Sequence, residues 1–225
     1  MIYLEIYIVL IVISLLLCVK TDVVFKKYKQ QDNKKKISGM EITRNVLDDN
    51  KLEKVYVIER KEKIMDVYDY RKKVVRLSSE VFHENSLYAL AVGAYVGMHG
   101  VYDKKNNSLD KFVETVKPIK AGAYLFSLFV LVMGMFSVNE AAFQIALVFF
   151  LLSLILSVLE FVVNKNIAYD TYDYLKKSES FDKEEDEAIS DILQNVYLES
   201  FTWFIVRLWY TLVNIMNESK KKQYE

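Results

Sequence analysis

Residues 121 to 163 decide the fold: AGAYLFSLFVLVMGMFSV (Ala121–Val138), then Asn139-Glu140, then AAFQIALVFFLLSLILSVLEFVV (Ala141–Val163). A helix needs about 20 apolar residues to cross the hydrocarbon core of a bilayer. Both runs are close to that length, neither contains Lys or Arg, and only Asn139-Glu140 lies between them. They read as a tight transmembrane hairpin. A helical pair buried in a soluble core needs no such unbroken apolar length.

Upstream, IYIVLIVISLLLCV (Ile6–Val19) is preceded by Met1-Ile2-Tyr3-Leu4 and Glu5. No Lys or Arg comes before Lys20, and Leu15-Leu16-Leu17 stand where a cleavage site or a lipoprotein signal has small residues. Residues 1–19 therefore read as an uncleaved anchor. Downstream, Tyr197–Met216 is apolar but interrupted by Glu199 and Arg207, and it carries Trp203, Trp209 and Tyr210. The expectation is a fourth span, with a helix lying in the interface as the alternative.

Lysines follow the first span (Lys20, Lys26, Lys27, Lys29, Lys34-Lys35-Lys36) and the third (Lys165, Lys176, Lys177, Lys183). The hairpin tip has none. The positive-inside rule then puts residues 20–120 on the cytoplasmic side of a multi-pass membrane protein. A fourth span would carry Lys220-Lys221-Lys222 outside, against that rule, so three to four transmembrane helices are expected.

Of the 225 residues 52% are hydrophobic and 27% charged, a mixture that signals segregated blocks. Lys and Arg total 30 and Asp and Glu total 30, so no net field points to nucleic acid as a partner. Pro118 is the single proline, which favours helix. Cys18 is the single cysteine, which leaves no intrachain disulfide and no cysteine metal cluster. His83 and His99, the two histidines, cannot by themselves build a typical zinc site. His83 is expected in an exposed linker.

Within 20–120, Ser38 and Glu41 have capping-box spacing before a helix with Ile42, Val46 and Leu47 on one side, stopping near Asp49-Asn50. Val55–Glu59, Ile64–Tyr68 and Val74–Leu77 are strand candidates, joined by turns at Arg60–Lys63 and Tyr70–Lys73. Asp66, Tyr68, Asp69 and Arg71 read as a solvated turn. Ser86–Gly100 is a buried helix rich in small residues, and Leu109–Lys117 is a short amphipathic helix leading to Pro118. The fold class is a mainly α integral membrane protein (α+β) with a small domain containing a short antiparallel sheet. The blocks are 1–19 anchor, 20–120 polar domain, 121–163 hairpin, 164–196 cytoplasmic helical segment, and 197–225 fourth apolar helix with a basic tail.

The residues Val74-Val75-Arg76-Leu77-Ser78, Val81, Ser86, Ala89, Ala91-Val92 and Ala94, ending at His99, fall in the order VVRLS-x-x-V-x-x-x-S-x-x-A-x-A-V-A-A-H-E-x-G-H-A. This order resembles the bacterial membrane-bound neutral zinc metallopeptidases (YugP-like). Ser38-Gly39 with Glu41, Arg44 and Leu47-Asp48 is similar to that family's T/S-G-x-E-x-x-R-x-x-L-D. Asp66-Val67-Tyr68-Asp69 is similar to its D-H-Y-D, and Leu159-Glu160-Phe161 to its V-E-F. The resemblance covers most of the chain.

In such enzymes H-E-x-x-H on a helix presents two imidazoles to one zinc ion, and the Glu between them handles the proton of the metal-bound water. The resemblance aligns Tyr95 with the first motif histidine, Val96 with the base and Met98 with the motif glycine, leaving His99. Glu160 takes the position of the third ligand, and Val67 that of the D-H-Y-D histidine. One His and one Glu hold zinc poorly, so Tyr95, His99 and Glu160 are degenerate metal-site positions, with Tyr95 filling the old cavity. No catalytic residue and no zinc are expected. The resemblance thus implies an inactive homologue, a membrane-embedded binding, regulatory or assembly module. Its partners would be membrane lipids and a protein or peptide, including a related active peptidase. A peptide-binding edge is expected at Val74, Val75, Arg76 and Leu77. Two alternatives stay open: an atypical active membrane zinc metallopeptidase, and a structural membrane protein unrelated to peptidases.

Overall fold

The computed structural model describes residues 2–60, 66–137, 139–178 and 181–202. The turn expected from Lys61, the start of the Ile64–Tyr68 strand, and the fourth apolar segment beyond Thr202 lie outside these residues. The described residues form two compact units, one of those within 2–21, 116–160 and 198–202, the other of those within 22–115 and 161–197.

Among the described residues three helices are long and apolar enough to cross a membrane: α1 (Ile2–Lys29), α5 (Ser108–Ser137) and α6 (Glu140–Ser178). In the first unit their apolar portions pack Tyr7, Tyr124, Leu131, Ala146 and Phe150 together. Tyr7 is 2.9 Å from the Ser127 hydroxyl, and Ser127 donates in turn to the Ala146 carbonyl at 2.7 Å. These side chains are interior, where a hydroxyl without a partner costs a few kcal/mol. Phe129, Phe136, Val148 and Ile155, by contrast, are exposed. Apolar surface on all three helices suits lipid better than water. At the hairpin tip the Asn139 side chain accepts from the Ala141 N–H at 3.0 Å, capping the start of α6.

The short helix expected over Leu109–Lys117 is the first part of α5, which runs on through Pro118. Proline removes one N–H donor, a loss that long apolar helices tolerate.

The second unit is built around a close helix crossing. α2 (Gly39–Asp49) starts with a complete capping box between Ser38 and Glu41, and Ile42, Val46 and Leu47 are fully buried. α4 (Leu87–Lys104) starts at Ser86, whose hydroxyl accepts from the Ala89 N–H. The two helices touch backbone to backbone. A Cβ on Gly93 would lie 2.4 Å from the Gly39 carbonyl oxygen, and one on Gly39 would lie 2.1 Å from that of Val81. Thr43 seals the crossing, its hydroxyl lying within hydrogen-bond distance of the Gly39 and Gly93 carbonyls (2.7 and 2.8 Å).

Beside this crossing lies a three-stranded sheet of β1 (Tyr56–Arg60), β2 (Val67–Asp69) and β3 (Val74–Ser78), in the order β1-β3-β2. Val75 and Leu77 of β3 are fully buried. The antiparallel expectation holds for β2 with β3, whereas β1 and β3 pair in parallel, Tyr56 opposite Val74. The reason is topological: β3 returns from β2 in a hairpin and inserts beside β1, so the first and last strands run the same way. The same insertion corrects the edge assigned to Val74, Val75, Arg76 and Leu77. β3 is the central strand, hydrogen-bonded to β1 on one side and to β2 on the other.

A short α3 (Ser79–His83), capped by Ser78, joins the sheet to α4. His83 there is largely exposed, 3.3 Å from Glu59. The continuation of α6 buries Ile167, Ala168, Thr171 and Leu175, and α7 (Lys183–Leu198) buries Ala188, Ile189, Ile192 and Leu193. Both sets have the spacing of one helix face. Tyrosine–aspartate hydrogen bonds tie this unit together: Tyr28 to Asp191, Tyr102 to Asp170, Tyr172 to Asp186 and Tyr174 to Asp49.

Candidate functional site

On α4, Tyr95 and His99 are four residues apart and share a face, as helical spacing dictates. Their rings meet edge-on, with centroids 4.8 Å apart. Both are buried, as is Val96 between them. The second contributor is the β2–β3 turn. Asp69 builds that turn by accepting from the N–H groups of Arg71 and Lys72 and pairing with Arg76, and the Lys72 N–H above all holds its carboxyl below the usual range. Asp69 and Arg71 thus fit the expected turn, whereas Tyr68 points inward and donates to Asp103 at 2.7 Å. Burial, then Asp103, raises the Tyr68 phenol above its ordinary value.

Tyr70 completes the site. Its hydroxyl oxygen lies 2.8 Å from His99 Nδ1 and 2.9 and 3.1 Å from the two carboxylate oxygens of Asp110, which opens α5 and is almost fully buried. Burial, with the charges of Asp110 and Glu114 behind it, pushes the Tyr70 phenol far above its ordinary value, so it stays protonated. One hydroxyl proton cannot serve both neighbours. Tyr70 donates to Asp110, so towards Nδ1 of His99 its oxygen is left to accept. The chain His99–Tyr70–Asp110 therefore has one direction, and it fixes the imidazole by its Nδ1 edge.

Sequence reading missed Tyr70 and Asp110. In sequence Tyr70 is only the first residue of the Tyr70–Lys73 turn, and its one faint signal is a bulky aromatic at a position where turns favour small polar residues. Asp110 sits in a polar helix start and carries no such mark.

Glu160 belongs to the first unit. There its carboxylate is bound by Lys120, which also donates to the Ser200 carbonyl at 3.2 Å, and Lys117 lies 3.8 Å away.

A metal ion needs several converging donors with lone pairs. Among the described residues no group of three or more His, Cys, Asp or Glu could hold one. One turn before His99 stands a phenol with a reference pKa of about 10, a poor ligand when neutral. The Nδ1 edge of His99 is already given to Tyr70. The described donor set does not fit zinc, and no reaction step is derived through it.

Fold and site together define a mainly helical chain with three long apolar helices and a small α/β unit whose central helix carries a single buried histidine. The chain belongs to the family described as "Putative neutral zinc metallopeptidase", which it matches over residues 3–216. No curated protein and no solved structure matches it.

Proposed function

We propose that this chain is a non-catalytic member of its family, a membrane-embedded module that binds or positions another polypeptide rather than cleaving it. The observation that carries this reading is the engagement of His99 with Tyr70 and Asp110, one turn from Tyr95. In place of two imidazoles and a general base, α4 offers one imidazole, a phenol and the side chain of Val96, which moves no proton. General-base catalysis alone is typically worth about 10²–10⁴-fold in rate. The three apolar helices sit in the bilayer as multiple passes, and the lysines beside them place residues 20–120 on the cytoplasmic side. Lipids are the first partners. A protein or peptide, including an active relative joined as a hetero-oligomer, is the second.

The test is elemental analysis of the chain purified in mild detergent, with a proteolysis assay on unfolded casein. The expected result is far less than one zinc per chain and no chelator-sensitive cleavage. Stoichiometric zinc that disappears in His99→Ala would overturn the proposal in favour of an atypical active peptidase.

A further inference from the structure

Lys117 and Lys120 stand three residues apart on α5, on either side of Pro118 and just before its apolar run. Both reach Glu160, which follows nineteen residues free of Lys, Arg, Asp and Glu on α6. The Lys120 and Glu160 side chains are 17% and 13% exposed, so the pair is largely withdrawn from water. Charged groups in such a setting are costly unless paired, and in membrane proteins they mark places where the charge has a task. Lys120 also has a second bond, to the Ser200 carbonyl in the 3₁₀ turn Glu199–Phe201, while Ser14 of α1 donates to the adjacent Phe201 carbonyl at 3.2 Å. That turn is thus fastened by side chains from two different helices.

We propose that Lys120 is a built-in counter-cation for Glu160. Its ammonium group supplies, from within the chain, the positive charge that a bound metal ion would supply to that carboxylate. It joins α5 to α6 and holds the Glu199–Phe201 turn against them without any ion taken from solution. This inference rests on the non-catalytic reading and deepens it, since a carboxylate already neutralised by lysine has no need of zinc. Lys117, at 38% exposure and 3.8 Å, is the weaker contributor.

The consequence is that removing the ammonium leaves the Glu160 carboxylate with only the more distant and more exposed Lys117. The experiment is a mutant cycle of Lys120→Ala, Glu160→Gln and the double variant on the full chain in detergent, read as apparent Tm with and without zinc chloride. Stranding one member of a buried pair is strongly destabilising, so Lys120→Ala is expected to lose about 10 °C. The double variant is expected to recover most of that loss, and Lys120→Arg to stay near the wild type. Zinc is expected to leave the wild type and all the variants unmoved, because Glu160 alone does not offer the several converging donors a metal ion needs.

If Lys120→Ala does not accumulate, the level of the double variant decides. Recovery supports the proposal, and continued absence overturns it. Additive effects in the cycle, or equal stabilisation of all variants by zinc, also overturn it. Zinc bound through His99 in the wild type would instead sink the non-catalytic reading, with the Lys120–Glu160 cycle unaffected.

Discussion

The hydroxyl of Tyr70 lies 2.8 Å from Nδ1 of His99, although 29 residues separate them in the chain. The pair joins the β2–β3 turn to the middle of the domain's most buried helix. It also sets the tautomer of the imidazole, because Tyr70 spends its single proton on Asp110.

Tyr70→Phe removes a buried donor that serves a carboxylate and leaves the imidazole edge without its acceptor. A loss of about 1–3 kcal/mol in unfolding free energy is expected, measured by denaturant titration in mixed micelles. His99→Ala in the Tyr70→Phe background should cost less than in the wild type, because the two side chains share one network.

The pH dependence has a definite sign. The Tyr68, Tyr70 and Tyr102 phenols all have raised folded-state values, each chiefly through burial. A proton held more tightly by the folded chain stabilises it fully below the unfolded value of about 10, and that stability is lost as pH rises. Above about pH 10 stability should fall by about 1.4 kcal/mol per pH unit for each such tyrosine. Tyr70→Phe should flatten the slope by one such contribution, and the 295 nm difference between the wild type and Tyr70→Phe should show the Tyr70 phenolate appearing only as the chain unfolds.

The α2–α4 crossing has no room for a methyl group. Gly93→Ala would press its Cβ onto the Gly39 carbonyl and should destabilise the chain by about 1–3 kcal/mol through forced separation of the helices. Gly122→Ala meets nothing within 4 Å and should be neutral or slightly stabilising. Melting curves of the two variants, run side by side, separate a packing effect from a general intolerance of glycine replacement.

Tyr95→His places two imidazoles one turn apart on α4, the spacing that lets both reach one metal ion. With His99 still fixed through Nδ1, zinc should raise the apparent Tm of this variant and leave the wild type unchanged. Equal responses would show that α4 does not present these side chains to a common point.

Sidedness can be read with single cysteines in a Cys18→Ser background. Asn139→Cys at the hairpin tip should react with an impermeant maleimide added to intact cells. Lys104→Cys, at the end of α4, should react only after the cells are opened. The reverse pattern would invert the orientation drawn from the lysines.

Legibility from sequence followed the range of the interaction. The Ser38–Glu41 box and the start of α4 at Ser86 were readable because a cap is made by groups three residues apart. The face of Ile42, Val46 and Leu47 was readable from helical period alone. The shared face of Tyr95 and His99 was readable because the two lie one helical turn apart. The helix expected over Leu109–Lys117 fell short of its observed length, since local propensity disfavours proline inside a helix and α5 nonetheless runs through Pro118.

By itself, then, the sequence determined the long apolar helices, the mainly helical class with its small sheet, and the family, because apolar length, period and motif order are properties of contiguous residues. Tertiary structure alone decided that β3 lies in the centre of its sheet, that Tyr70 and Asp110 hold His99, and that Lys120 holds Glu160. Each of these joins partners 18 to 40 residues apart. Their pairing is selected by which fold closes around them: burial makes an unpaired donor or charge costly, and only the completed packing says which partner is within reach.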